Sequence, residues 1–324
     1  MQTVITGASG HLGASLIAAL LADGSRVRVV AHRNTAPFAG LDVEVADGDV
    51  LEPDGLRDLF AGADEVYHLA AVISISGDRD GMVHRVNVDG AGNAARAARE
   101  AAVGRFVHCS SIHAFDLHRD AAVVDEASPR VPAGSARHAA YDRSKADGER
   151  RVREVIANGL DGVIVHPTSV IGPGDFEPSR MGRFFLRLRD GGLPSLVRGG
   201  FDFVDVRDVA AGMIAAARRG RTGSSYLLSG RYLAVAELAA VAAQVAGFRP
   251  PRVVMPIALA RLGLPFIAAA GRLRGVEPLY TGESLAALGL SALIDGGLAE
   301  RELGYTVRPI ADTVRAVYED FDRR

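Results

Sequence analysis

Thr3-Val4-Ile5-Thr6-Gly7-Ala8-Ser9-Gly10-His11-Leu12-Gly13 is the stretch that decides the fold of this 324-residue chain. A short β-forming run passes directly into three glycines spaced three apart, and an Ala- and Leu-rich segment follows, which predicts a helix over 11–22. Gly7 suits a tight turn, Gly10 lets backbone approach a pyrophosphate, and Gly13 permits close packing of helix on strand. The start of such a helix offers free N–H groups and the positive end of its dipole. A glycine pattern alone is weak, but at a first strand-to-helix junction it has the context that dinucleotide binding requires. Gly7, Ser9, Gly10, His11, Leu12 and Gly13 are therefore candidate cofactor contacts.

Outward from that loop, short β-branched runs alternate with longer helical ones. Strands are predicted at 3–6, 26–31, 42–46, 65–69, 105–110 and 162–166, and helices at 11–22, 53–60, 81–102 and 138–156. Most of the strands are apolar on consecutive positions, as in a parallel sheet covered on both faces. The expected fold is α/β: a Rossmann-type doubly wound parallel sheet with a smaller C-terminal substrate lobe. Residues 1–166 form the dinucleotide-binding domain in this reading, and 167–324 mainly the substrate lobe. From Pro167 the rhythm changes to Gly/Pro-rich turns, with helices expected at 206–217, 235–245 and 257–270. Segments near 201–217 and 225–229 are expected to return to the first domain, through strands at 203–206 and 225–228.

Composition excludes several classes. A formal charge of -2 gives no bulk attraction to nucleic acid or anionic membrane. One cysteine, Cys109, precludes an internal disulfide and fits a reducing, cytoplasmic compartment. Met1 leads within one residue into the first strand, leaving no room for a signal peptide. The longest apolar stretch, 255–270, is interrupted by Arg261 and Pro265 and is too short for a membrane span.

Further residues sharpen the chemistry. The second strand ends without an acid, and Arg33 stands twenty residues beyond Gly13, which favours the 2′-phosphate of NADP(H) over NAD(H). Asp49 and Val50 follow the third strand, where they would meet an adenine; a turn role for Asp49 is equally open. Tyr141 and Lys145, four apart, share one face of a helix. A cation beside a phenol lowers its pKa and makes the hydroxyl a useful acid or base. Ser110-Ser111 ends the fifth strand, where ligands bind in open α/β sheets, so Ser111 is placed to hold a substrate carbonyl. Cys109 reads as a strand residue. His108, His113 and His118 have no metal-ligand spacing, so no metal is expected; His113 and Phe115 are candidates for the substrate pocket.

Together these residues resemble the extended short-chain dehydrogenase/reductase family, within the NAD-dependent epimerase/dehydratase superfamily. The 6–13 stretch resembles its TGxxGxxG loop. His68-Leu69-Ala70-Ala71 resembles its HxAA segment, implying that Leu69, Ala70 and Ala71 line the cofactor. Asn87 matches an Asn that supports the site, and Tyr141 and Lys145 match the YxxxK pair. Residues 167–174 are similar to the segment beside the nicotinamide, implying contacts from Pro167, Ser169 and Val170. The resemblance is closest to dihydroflavonol reductase-like and hopanoid-associated sugar epimerase-like proteins. It implies catalytic roles for Ser111 on the carbonyl, Tyr141 as proton donor and Lys145 on the nicotinamide ribose. It also implies a possible homodimer through helices 81–102 and 137–156.

Two departures separate the chain from sugar-nucleotide enzymes of that family. Where they carry R-x-x-N-V-Y-G-P, this chain has His166 and Ser169 at the Arg and Asn positions, and Phe201 stands where an Arg is common. The expected function is reduction of a carbonyl in a small, fairly apolar molecule by an NADP-dependent oxidoreductase. The alternative is an NAD-dependent sugar-nucleotide epimerase or dehydratase; a minor one is an NADP-sensing protein without turnover.

Overall fold

A computed structural model describes residues 1–32, 34–74, 77–118, 123–176, 178–264, 281–290 and 293–324. The first half runs β1 (Gln2–Thr6), α1 (His11–Ala22), β2 (Arg26–Ala31), β3 (Val43–Asp47), α2 (Pro53–Phe60) and β4 (Glu65–His68). Next, α3 (Met82–His84) passes through a π-helical turn, Arg85–Gly90, into α4 (Ala91–Glu100) and β5 (Arg105–Cys109). After β6 (Val123–Val124) come α5 (Ala140–Ala157), β7 (Gly162–Pro167), β8 (Ser169–Ile171), α6 (Arg180–Arg189) and β9 (Leu196–Val197). The chain continues through β10 (Gly200–Asp205), α7 (Val206–Arg219), β11 (Ser225–Leu228), β12 (Arg231–Ala234), α8 (Val235–Ala246) and β13 (Val254–Met255). Helix Gly282–Leu288, β14 (Leu293–Ile294) and helices Gly297–Leu303 and Ile310–Asp322 follow.

Seven strands form one parallel sheet in the order β3-β2-β1-β4-β5-β7-β11. Chain order reverses between β1 and β4, so the crevice where an open α/β sheet binds its ligand lies at the C-terminal ends of those strands. Consecutive strand residues serve opposite faces. Ile5, Val107 and Val165 pack with Leu16 and Leu20 of α1 and Met213 and Ala216 of α7. Val4, Phe106 and Ile164 pack with Phe60, Ala94 and Val152 on the other side. This double burial accounts for the unbroken apolar runs of the sequence.

The lobe has its own core, built from Phe185, Leu188, Leu238, Ala242, Val314 and Val317. The segments around 201–229 divide. Ser225–Leu228 pairs with β7 at the edge of the main sheet, and α7 packs beneath that sheet. The strand expected at 203–206 does not join it: β10 lies between β8 and β12 in a separate three-stranded sheet. Alternation along a strand fixes which residues are buried, and it carries no information about which neighbour completes the ladder. Residues 257–264 are helical; the rest of the helix expected to 270 falls outside the described residues.

Candidate active site

The glycine loop is shaped as a cradle. Gly7 has φ +72°, and a Cβ there would overlap the backbone of Leu69 and Ala70. A Cβ on Gly13 would overlap the Ala8 backbone, whereas Gly10 meets nothing closer than 3.7 Å. The loop is thus tight where it touches the protein and open at Gly10. Helix α1 begins with no side-chain cap and no acid in its first turn, so its leading N–H groups and dipole face the crevice without an internal counter-charge. His11 Nε2 lies 2.9 Å from the Pro173 carbonyl oxygen, tying the loop to the segment after β8. The cradle fits a dinucleotide pyrophosphate.

The other expected cofactor contacts surround this loop unevenly. The Leu69 N–H donates to the Thr6 carbonyl at 3.0 Å, holding the 69–71 backbone against Gly7. Asp49 Oδ1 accepts from the Leu51 N–H at 2.9 Å, a turn bond, while Oδ2 is 3.4 Å from His32 Nδ1. Val50 is buried, and its carbonyl accepts from Asn93 Nδ2 at 2.9 Å. Pro167 closes β7, and Ser169 and Val170 begin β8. Arg33 lies outside the described residues.

Ser111, Tyr141 and Lys145 come together beyond the end of β5. Ser111 caps a short 3-10 turn, accepting from the His113 N–H at 3.2 Å, and stands beside the Tyr141 phenol. Burial drives the phenol well above its ordinary pKa, with neighbouring Ser111 pulling the other way. Burial also lowers the Lys145 ammonium, which donates to the Cys109 carbonyl at 2.9 Å. The expected lowering of the phenol by Lys145 is therefore not what governs it: desolvation does, and the ammonium is committed to the strand-end carbonyl. Asn87 braces the same helix. Its amide clasps the Val72 backbone in both directions, at 2.7 and 2.9 Å, and donates to Ser144 Oγ at 2.9 Å.

One turn further along α5, Glu149 is buried among cations. Its Oε2 pairs with His166 Nε2 at 2.7 Å, and its Oε1 accepts from Arg130 Nε at 3.0 Å and Arg153 Nε at 2.9 Å. Burial acts to raise this carboxyl, but His166, Arg130 and Arg153 hold it well below the usual range. Arg130 also lies over the Phe115 ring, 3.8 Å from its centroid. The cluster anchors α5 to β7 and to the segment after Ser111.

A cavity of about 930 Å³ opens above Tyr141, within the range of small-molecule sites. Ile112, Phe115, Val170, Met181, Phe184 and Phe201 contribute apolar walls. Polar and charged side chains share the lining, Asp202 and Glu283 among them. His113 Nδ1 is 2.8 Å from Asp142 Oδ1, and its ring meets Tyr141 edge-on at 5.5 Å. Arg180 and Arg183 of α6 also reach the wall. Among the described residues no group of His, Cys, Asp and Glu is arranged to hold a metal, and no helix is long and apolar enough to cross a membrane.

Residues 3–229 match the model of the NAD dependent epimerase/dehydratase family, most of the chain. The chain belongs to this family. It is 38% identical over 261 residues to sterol demethylase protein B of Methylococcus capsulatus, covering 79% of this chain and 78% of that protein. It is 32% identical over 260 residues to a putative dihydroflavonol 4-reductase of Synechocystis, covering 78% and 75%. Among solved structures, gox2253 superposes with a TM-score of 0.84 at 30% identity, covering 99% of this chain and 98% of that one. The protein is accordingly an NAD(P)-dependent oxidoreductase of the epimerase/dehydratase family.

As a member of this family it carries supports that its sequence did not disclose. Thr168 Oγ1 donates to Asp202 Oδ1 at 2.6 Å, and the Gly230 N–H donates to the same oxygen at 2.6 Å, so one carboxylate joins β10 to the end of β7 and the turn after β11. The Glu149 cluster joins residues up to 95 positions apart. Neither has local spacing that a sequence pattern reveals. His166, one of the two departures, is fully buried against Glu149 and does not face the cavity, whereas Phe201 does.

Proposed function

We propose that the protein reduces a carbonyl of a fairly apolar molecule with NADPH, using Tyr141 as the proton donor. The observation that carries this reading is the convergence of Ser111, Tyr141 and Lys145 at the end of β5, with Tyr141 facing a cavity whose lining is largely apolar in area. Gly7, Gly10 and Gly13 would hold the pyrophosphate, and Tyr141 and Lys145 the nicotinamide ribose. The nicotinamide supplies hydride when bound. Ser111 holds the carbonyl oxygen, and Tyr141, kept protonated by burial, gives its proton to that oxygen as charge develops. Lys145 fixes the end of β5 through Cys109, which sets the position of Ser111 two residues on.

Cofactor choice is supported by the acid-free end of β2 and by Arg33 beyond it. The names of the relatives, a sterol demethylation protein and a dihydroflavonol reductase, agree with a bulky apolar substrate. A second reading, sugar-nucleotide epimerisation with retained NAD, draws on Arg180 and Arg183 at the cavity wall, which suit a diphosphate. Titration of nucleotide-stripped protein with NADPH and NADH separates the two. Reversible binding with a tenfold or greater preference for NADPH, about 1.4 kcal/mol, supports the reductase. Copurified NAD that resists exchange overturns it in favour of the epimerase. The same reading includes a cytoplasmic homodimer through helices α4 and α5, measurable by light scattering.

A further inference from the structure

Between Glu237 and Leu264 the sequence holds three arginines (Arg249, Arg252 and Arg261) and no acid, in a chain of net charge -2. All three are exposed, and no carboxylate pairs with them among the described residues.

The same region exposes apolar side chains. Of the twelve large apolar residues exposed among the described ones, four fall between 253 and 262: Val253, Val254, Leu259 and Leu262, the last at 72%. The helical turns 257–264 are apolar on both sides. Ile257, Ala260 and Leu264 face inward onto a core shared with Leu285 and Leu288. Leu259 and Leu262, three apart, share the outward face, and Arg261 stands on its flank. Scattered exposed leucines are ordinary on a soluble protein; an outward leucine pair flanked by arginine, on a helix without one acid, is not. Arginine can lay its stem along apolar surface while its guanidinium meets phosphate, the pattern of a segment resting in a lipid interface.

We propose that this face docks the protein peripherally onto an anionic lipid surface. The charge picks the occupant: basic groups without acids complement lipid phosphates, and the leucines complement the acyl boundary. The docking face also backs onto the substrate cavity, because helix Gly282–Leu288 supplies both the inward partners Leu285 and Leu288 and the cavity-lining Ala286, Ala287 and Leu288. A bilayer-dissolved substrate would then meet the protein beside its site. The docking itself does not depend on the reductase reading.

Sedimentation of the full chain with vesicles tests it directly. Vesicles of phosphatidylcholine with about one-third phosphatidylglycerol are compared with phosphatidylcholine alone, for wild type, a Leu259→Ser/Leu262→Ser double variant and Arg261→Glu. Circular dichroism of each variant checks that it is folded. The expected result is at least tenfold greater partitioning to the anionic vesicles, loss of that excess in both variants, and its suppression by salt. Equal partitioning to both vesicles, or variants that bind like wild type, overturns the proposal. A wild type that stays in solution and forms a dimer abolished by the double variant assigns the face to a second copy instead.

Discussion

The floor and the roof of the cavity are built on different principles. The floor, at Tyr141, rests on a dense polar assembly at the ends of β5 and β7 beneath α5, in which Lys145, Glu149, His166 and Arg130 are each tied to a named partner. The roof, from α6, β10 and helix Gly282–Leu288, mixes apolar side chains such as Met181, Phe184, Phe201 and Leu288 with Arg180, Arg183, Asp202 and Glu283. Hydrogen bonds and ion pairs in a buried setting fix positions to fractions of an ångström and make loss of one partner costly. Apolar walls set only shape and area. Chemistry is therefore held by the sheet, and choice of substrate is left to the lobe.

The difference sets a ranking of effects. Tyr141→Phe removes the proton donor and leaves the cavity shape, so kcat/KM for a reduced carbonyl is expected to fall about a thousandfold, about 4 kcal/mol. Cofactor affinity should change little; an equal loss in both would mean that Tyr141 serves binding alone. Glu149→Gln leaves Arg130, Arg153 and His166 facing a neutral group. Breaking such a buried pair costs about 3 kcal/mol, readable in chemical denaturation. Unchanged stability would show that the cluster does not anchor α5.

A pH effect of intermediate size comes from the sheet beneath. His68 and His108 stack at 5.5 Å on neighbouring strands. Burial, reinforced by the Lys145 charge, lowers His68 to about 3 and His108 well below its ordinary value. The unfolded chain takes up these protons near pH 6.5, and the folded one resists. Stability is thus complete above that pH and falls as pH drops toward the folded values, by about 1.4 kcal/mol per pH unit for each ring. Denaturation at pH 7 and 5.5 should show the loss, and equal stability at both would contradict neutral burial. The smallest effect belongs to the roof. Phe201→Ala is expected to raise KM for an apolar ketone about tenfold, roughly 1.4 kcal/mol, with kcat little altered. A fall in kcat instead would erase the division between floor and roof.

How much of this was legible depended on sequence distance. The glycine loop and the Tyr141/Lys145 pair are local patterns, each contained within one strand-to-helix junction or one helical turn, and the structure brings them to the same crevice. The parallel sheet was legible because burial on both faces leaves consecutive apolar residues. The floor beneath was not. Glu149 reads as an ordinary helix acid until Arg130, His166 and Ser225 arrive from other elements. The strand at 200–205 has the same composition whether it joins the large sheet or the small one, and its partner was misjudged for that reason.

The central claim is net reduction with Tyr141 as donor. Its most direct test is single-turnover reaction of NADPH deuterated at the transferring position with an excess of an apolar ketone, followed by mass analysis of the product and assay of the nucleotide. The account predicts one deuterium in the alcohol, stoichiometric NADP+ and transfer about a thousandfold slower by Tyr141→Phe. Unchanged ketone with label retained on the nucleotide, or transfer at the wild-type rate by Tyr141→Phe, would contradict it.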